Sequence, residues 1–379
     1  MKLIYSAVLI LFITSCKTQP KIELTVKAPG IRNGVIILKQ ANEIALSQNI
    51  KDGEMAVSLQ LAAPGYYSLT ILDTDKPLSA NQAFDVYLGP DKYLIETDIR
   101  HLKNYPKITT GSEIQNQLTD YYHYSDGRTH SLDNRIDSLK TFLESQEAPA
   151  LPARKRAIIY ADTRSFQKKR RELELDILKT YTNNHPQSKI GAHIMAGQYY
   201  PENAAAYNEI FQKFRADVKN SDDGLKISNK LRTLLGVMAG ATAPDIVGNM
   251  PNSIAFSKSE INNKITLIEF WRSSHKVSSF QHVKMLNGII VSDYDRKKFG
   301  IISISLDTSA MEWKRAIKQD GLNWTQVSDL KGDNSPNVSN WNITQLPAFF
   351  LVDQNWRIIK SNVDFVDIDS EVHEYLKKR

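Results

Sequence analysis

The sequence predicts a multidomain protein with an N-terminal antiparallel β-sandwich, a helical middle section and a C-terminal α/β domain. Three observations predict this order. Short alternating apolar segments between Gly and Pro turns occupy residues 21–110, a helical period replaces them over residues 111–238, and unbroken strand-like apolar runs return over residues 239–379. A chain of 379 residues is long enough for two or three domains with their own cores.

Composition narrows the range of partners. The chain is 41% hydrophobic and 24% charged, which is ordinary for a globular protein. A net charge of +6 is small for this length, so we expect no nucleic-acid partner. The sequence contains no glycine-rich phosphate loop, and we predict neither a cofactor nor a metal.

Residues 1–16 have the pattern of an export signal. Lys2 supplies a positive start, and residues 3–13 form an apolar run that is too short to span a bilayer. The run ends in Ile13-Thr14-Ser15-Cys16, which resembles a bacterial lipobox. That resemblance implies acylation of Cys16, with membrane lipid as a partner, and a lipid-anchored cell-envelope protein that faces the periplasm. The alternative is an ordinary secretory signal with an incidental cysteine.

Residues 21–110 are predicted to form the β-sandwich. Alternating segments such as residues 22–26 and 55–59 are separated by turn signals, which include Asp52-Gly53 and Pro64-Gly65. The Asp-Gly turn, the Pro-Gly-x-Tyr strand and the Leu-Gly-Pro-Asp turn resemble an N-terminal β-sandwich module of unknown function found in envelope lipoproteins. That resemblance implies a fold and no chemistry.

Residues 111–238 are predicted to form helices that connect the sandwich to the C-terminal domain. The helical spacing is interrupted at four prolines: Pro149, Pro152, Pro186 and Pro201. Two basic clusters, residues 154–156 and 168–171, are interleaved with acidic residues, so we interpret them as solvated helix faces. Contact with anionic lipid head groups is the alternative.

A buried strand followed at once by a helix is predicted near the centre of the C-terminal domain. The apolar run from Ile265 ends in an aromatic pair at Trp271, and a polar turn follows. Apolar residues then recur at helical spacing: Val277, Phe280, Val283, Leu286 and Ile290. The N-terminus of this helix offers unpaired N–H groups, and we expect Ser273 or Ser274 to cap it.

This strand, turn and helix resemble the active-site segment of thioredoxin-like proteins, in which Trp-Cys-x-x-Cys follows the strand. In that register His275 stands at the position of the nucleophilic cysteine and Ser278 at that of the resolving cysteine, so the Cys-x-x-Cys motif is lost. Further landmarks follow in the family's order: Ala243-Pro244-Asp245, Ser303-Ile304-Ser305-Leu306-Asp307 and the hairpin of residues 348–359. They resemble the alkyl hydroperoxide reductase and thiol-specific antioxidant superfamily, which includes membrane-anchored thiol–disulfide oxidoreductases.

Pro347 matches the cis-proline of that superfamily, so we expect the peptide bond before it to be cis. In the family, the backbone beside this proline pairs with an extended substrate next to the active cysteine. The resemblance therefore implies a groove for a peptide or protein partner. Its expected residues are Trp271, Ser274, His275, Leu346 and Pro347.

The chemistry of disulfide exchange is missing from this groove. Exchange requires a thiolate, which neither His275 nor Ser278 supplies, and the only cysteine is Cys16. His275 with His282, two turns further on, makes a poor metal site. We therefore predict no catalytic residue and a redox-inactive binding or scaffolding module. The alternative, which fold resemblance alone suggests, is a thiol–disulfide oxidoreductase or a peroxidase-like antioxidant enzyme.

Overall fold

The computed structural model of the protein describes residues 21–41, 43–60, 63–75, 82–286 and 298–377. The predicted lipoprotein signal with Cys16, and Ile290 of the predicted helix, lie outside the described residues. The chain divides into two compact units after Gln198, within the predicted helical middle section. The domain limits derived from the sequence stay a prediction. In the described ranges, no helix is long and apolar enough to cross a bilayer.

The first unit contains an eight-stranded sheet. Its strands are β1 Ile22–Lys27, β2 Asn33–Gln40, β3 Glu43–Lys51, β4 Glu54–Leu59, β5 Gly65–Asp73, β6 Ala83–Leu88, β7 Lys92–Glu96 and β8 Lys107–Thr109. They lie in the order β6-β5-β2-β3-β4-β1-β7-β8. Neighbouring strands are antiparallel except for β1 and β7, which are parallel.

The predicted β-sandwich is confirmed, because the two halves of this sheet share one hydrophobic core. Strands β3 and β4 pair at Lys51 and Glu54. Between them Asp52 (φ 48°) and Gly53 (φ 82°) form the tight turn that an Asp-Gly pair favours. The shared core draws on both sides of that turn, with Ile36, Leu38, Leu69 and Val86 from one half and Leu24, Val26, Tyr93 and Ile95 from the other.

Helices α1 Glu113–Glu144, α2 Ala153–Asn184 and α3 Gly191–Ala196 follow the sheet in the first unit. Helix α1 begins after Ser112, whose side chain accepts a hydrogen bond from the backbone N–H of Gln115. The carboxamide of Gln115 is buried and accepts a 2.7 Å hydrogen bond from the N–H of Tyr87 in β6. A polar contact thus fixes the first turn of α1 against the sheet.

The second unit contains a five-stranded mixed sheet. Its strands are β9 Ile265–Trp271, β10 Phe299–Ser305, β11 Thr325–Ser328, β12 Ala348–Asp353 and β13 Ile358–Ser361, in the order β11-β10-β9-β12-β13. Strands β9, β10 and β11 are parallel, whereas β12 is antiparallel to both β9 and β13. Every residue of β9 is buried, as expected for a central strand covered on both faces.

Seven α-helices lie before, between and after the strands of this second sheet in the described part of the chain. They are α4 Ala204–Gln212, α5 Ala216–Lys219, α6 Asp222–Gly236, α7 Lys276–Lys284, α8 Ala310–Asp320, α9 Pro336–Asn340 and α10 Ile368–Lys377. Short 3-10 turns lie at Lys258–Glu260, Gly332–Asn334 and Phe365–Asp367. Strand β9 contributes Ile268 and Phe270 to one core and Ile265 and Leu267 to another, so the sheet is packed on both faces. Because β9 and β10 are parallel, the loops that follow them lie at the same edge of the sheet.

Candidate functional site

The turn between β9 and α7 places His275 at the start of the helix. His275 is the N-cap residue (φ −92°, ψ 103°), its backbone O accepts a 3.0 Å hydrogen bond from Ser278 N–H, and its side chain does not cap the helix. The expectation that Ser273 or Ser274 caps the helix is wrong. The hydroxyl of Ser273 instead donates a 2.7 Å hydrogen bond to Asp307, because a buried carboxylate beyond β10 needs donors.

Hydrogen bonds from two directions hold this turn in place. Asp307 also accepts from Ser273 N–H and, at 2.6 Å, from the hydroxyl of Ser305. Arg272 donates to the backbone O of Leu306 at 3.0 Å and forms an ion pair with Asp333. Arg272 and Ser273 are therefore fixed to the loop that follows β10.

His275 and Ser278 lie side by side, as the resemblance implied for the two cysteine positions. The Nδ1 atom of His275 is 3.5 Å from the Oγ atom of Ser278. His275 is half-buried and Ser278 is fully buried, so the imidazole is open to a ligand and the hydroxyl is not. A buried hydroxyl at the outer limit of hydrogen-bond distance from its base is poorly placed as a nucleophile.

The Leu346–Pro347 peptide bond is cis, which confirms that expectation. Ala348 pairs with Phe270, so Pro347 lies beside the end of β9 from which the His275 turn departs. Leu346 and Pro347 are half-buried and Ser274 is exposed. Within the described ranges, neither the N–H of Gln345 nor that of Leu346 forms a hydrogen bond. Backbone groups next to the proline are therefore available to another chain.

Trp271 has a different position from the other expected groove residues. It is 1% exposed and packs in a cluster with Trp313, Ala316 and Leu322. Its ring also meets the edge of the His282 ring, with 4.8 Å between centroids. Trp271 thus supports the turn from inside the core.

A buried ionic network lies beneath the turn, and the sequence analysis did not predict it. His282 is fully buried, with Nε2 3.1 Å from Glu269 Oε1 and Nδ1 2.8 Å from Asp320 Oδ2. Burial lowers the pKa of His282, but hydrogen bonds and charge from Glu269 and then Asp320 outweigh burial, so the pKa is raised. Glu269 is the one feature of the sequence that could have revealed this network, because a carboxylate in an otherwise apolar buried strand requires a partner.

Serine and tryptophan side chains complete the network. Ser303 donates a 2.5 Å hydrogen bond to the second oxygen of Glu269 and accepts one of 2.8 Å from Trp324. Ser279 donates to the second oxygen of Asp320 at 2.8 Å. Each carboxylate oxygen of Glu269 and Asp320 therefore has a partner, which is the condition for burying charge at tolerable cost.

Helix α7 presents its apolar stripe to the surface. Val277, Phe280 and Val283, which helped to predict the helix, are 50%, 61% and 48% exposed. The inward face carries Ser278, His282 and Met285 instead. The need of Glu269 for a cationic partner explains why a histidine faces the core here.

A parallel β9-β10-β11 sheet extended by antiparallel β12 and β13, with a helix directly after β9 and a cis-proline before β12, defines a thioredoxin-like domain. Residues 262–358 match the family model described as Thioredoxin-like. No curated protein matches the chain. No cluster of residues that could hold a metal ion occurs in the part of the chain that the structure describes.

Several solved structures are similar to parts of this chain. A thiol-disulfide oxidoreductase from Bacteroides fragilis is 26% identical, and the match covers 35% of this chain and 98% of that one with a TM-score of 0.32. The thioredoxin domain of a thiol-disulfide oxidoreductase from Bacteroides vulgatus is 25% identical over 36% and 96% of the two chains, with a TM-score of 0.33. A thioredoxin-like protein from Bacteroides caccae is 12% identical over 62% and 88%, with a TM-score of 0.43.

Proposed function

We propose that the thioredoxin-like domain is a redox-inactive module that binds an extended peptide segment of a partner protein. The observation that carries the proposal is the pair His275 and Ser278 beside cis-Pro347, in a chain whose only cysteine is Cys16. A thioredoxin-like site without thiols retains a shape and backbone groups that bind, and lacks the group that exchanges electrons.

Strand addition next to the cis-proline is the proposed binding mode. The unbonded N–H groups of Gln345 and Leu346 support it, because an extended peptide supplies carbonyl oxygens to such donors. The half-buried imidazole of His275 adds a side chain that can donate or accept a hydrogen bond at the same edge. Exposed Ser274 leaves the approach open.

The alternative function is thiol–disulfide exchange, the activity in the names of two similar structures. A peroxidase-like antioxidant activity belongs to the same alternative. Both chemistries begin with a thiolate attack, and the domain contains no cysteine. We therefore favour binding.

We also propose that the protein is a lipoprotein of the cell envelope, anchored through Cys16 and facing the periplasm. The apolar run that ends in Ile13-Thr14-Ser15-Cys16 supports this. Cys16→Ala should leave the protein uncleaved, or release it from the detergent-soluble lipoprotein fraction. Unchanged maturation and fractionation of Cys16→Ala would show that the lipobox assignment is wrong.

The binding proposal is tested with the purified mature protein and a phage-displayed library of random peptides. We expect enrichment of peptides that bind the parent and do not bind Ser274→Trp. Position 274 is exposed at the edge of the groove, so a tryptophan there blocks the groove. Lys318→Trp, near the C-terminal end of α8, is the matched control and should bind normally. Reduction of insulin disulfides above a heat-treated control, or peptides that bind Ser274→Trp as well as the parent, would contradict the proposal.

A further inference from the structure

A cavity of about 140 Å³ lies beside the cis-proline. Gln281 of α7 forms one side, Gln345, Pro347 and the start of β12 form another, and Asn362 to Phe365 close it. For scale, a cavity of roughly 150 Å³ holds a ligand of about six heavy atoms. The cavity therefore has room for one side chain of a bound peptide.

The polar lining of this cavity includes two hydrogen-bond acceptors without a donor in the described part of the chain, one on Gln281 and one on Asp364. The Oε1 atom of Gln281 is buried and has no hydrogen-bond partner among the residues that the structure describes. The carboxylate of Asp364 does not cap the short 3-10 turn that follows it, and no hydrogen bond or ion pair joins its side chain to another described residue. A buried acceptor without a partner and an exposed carboxylate without one, both on the lining of the same cavity, favour a ligand that donates hydrogen bonds and carries positive charge.

Of the remaining lining residues, Gln345 and Asn362 are polar and the others are apolar. Pro347, Phe349 and Phe365 line the cavity, and Phe365 is half-buried. A lysine side chain matches this division, because its methylene stem packs on apolar surface while its ammonium group donates up to three hydrogen bonds. It adds five heavy atoms beyond its Cα atom, which agrees with the volume of the cavity.

We infer that this cavity binds one basic side chain, of the lysine type, from a peptide held in the adjacent groove. The ammonium group lies between Gln281 and Asp364, and the stem contacts Pro347 and the two phenylalanines. The inference rests on the proposed peptide groove and adds the charge that the partner must carry at one position. No covalent step is involved.

The first experiment uses the same phage-displayed library on the mature full-length protein. We expect the enriched peptides to carry lysine or arginine at one fixed position. Asp364→Asn should lower the affinity for these peptides about tenfold, as expected for loss of a hydrogen bond to a charged group. Asp367→Asn removes the same charge three residues away, outside the cavity lining, and should leave affinity unchanged. Asp364→Lys should select peptides without a fixed basic position.

A second experiment probes the cavity without a peptide. Butylammonium, which is a lysine side chain without its backbone, is titrated into the isotope-labelled protein while amide resonances are followed by NMR. We expect the Val363 and Phe365 amides to shift in the parent and in Asp367→Asn, and to stay unchanged in Asp364→Lys. No shift at these amides in the parent, or equal shifts in Asp364→Lys, would overturn the cavity inference.

The two experiments separate this inference from the function on which it rests. Groove-dependent peptides without a fixed basic position would overturn the cavity inference and leave the groove in place. If the library yields no peptide but butylammonium shifts the amides at the cavity, the proposal of a peptide groove is overturned. The cavity then remains as a site for a cation. Failure of both experiments would overturn both.

Discussion

Glu269 and His282 form a 3.1 Å ion pair in the interior of the domain, where neither residue has any exposed surface. Glu269 belongs to the central strand β9 and His282 to the helix that follows it. Asp320, at the end of α8, bonds the other imidazole nitrogen. The network therefore joins the strand and two helices that carry the candidate site.

Breaking this pair should destabilise the domain strongly. Glu269→Leu leaves an imidazolium with one partner fewer in the core, and we expect a loss of about 3–5 kcal/mol in the free energy of unfolding. His282→Leu, which leaves Glu269 unpaired, should cost a similar amount. The double variant should cost clearly less than the sum, because it leaves neither member of this pair uncompensated. Urea unfolding of all four proteins measures this coupling, and strict additivity would refute it.

The raised pKa of His282 predicts a pH dependence of stability. The folded protein holds the imidazolium proton more tightly than the unfolded chain does, whose histidine pKa is about 6.5. The stabilisation by this group is therefore complete below about pH 6.5 and is lost as pH rises through the folded-state pKa.

Thermal unfolding of the parent and His282→Gln from about pH 5 to about pH 9 provides the measurement. The difference in Tm between the two proteins should shrink as pH rises. His123→Gln, which replaces an exposed histidine in the first unit, serves as the control. A Tm difference that is constant with pH, or grows, would contradict the assignment of a raised pKa.

The two faces of α7 should respond oppositely to substitution. Phe280 is 61% exposed, so Phe280→Ser should change the free energy of unfolding by no more than about 0.5 kcal/mol. Met285 is fully buried, and Met285→Ala should cost about 2–5 kcal/mol. Chemical unfolding of both variants tests the orientation of the helix. A large loss of stability in Phe280→Ser, together with a small loss in Met285→Ala, would show that the opposite face of α7 is buried.

The pair His275 and Ser278 should accept a disulfide. Their side-chain atoms approach to 3.5 Å in the first turn of α7, so His275→Cys with Ser278→Cys should form an intramolecular bridge under mild oxidation. The thiol at position 275, at the positive end of the helix, should have a depressed pKa. Free-thiol titration and mass spectrometry measure the bridge, and each single variant is the control. Two free thiols that persist in a folded double variant would show that the register is misassigned.

The sequence was sufficient to predict the features that depend on local pattern. The apolar run ending at Trp271 predicted β9, because a short run of consecutive apolar residues is typical of a strand that is buried on both faces. Asp52-Gly53 predicted a tight turn because both residues tolerate positive φ. The resemblance to the thioredoxin-like family, and not the proline alone, predicted the cis bond before Pro347.

The network and the orientation of α7 could not be predicted in the same way. Glu269 and Asp320 are far apart in sequence, and only the packing of α7 and α8 brings both to His282. Apolar spacing ordinarily marks the buried face of a helix. In α7 it marks the exposed face, because Glu269 requires the imidazole of His282 on the inside. The cavity combines residues from α7, β12 and the segment after β13, which no single stretch of sequence juxtaposes.

The contact between Gln115 and β6 has a consequence for self-association. Strand β6 is an edge of the eight-stranded sheet, and edge strands offer free N–H and C=O groups on which further strands can assemble. The side chain of Gln115 accepts a hydrogen bond from the N–H of Tyr87, and the Tyr105 hydroxyl donates to the C=O of Asp85 at 2.7 Å. Side chains of its own chain thus bond two of the backbone groups on this edge, which hinders a further strand from pairing with β6 at Asp85 and Tyr87.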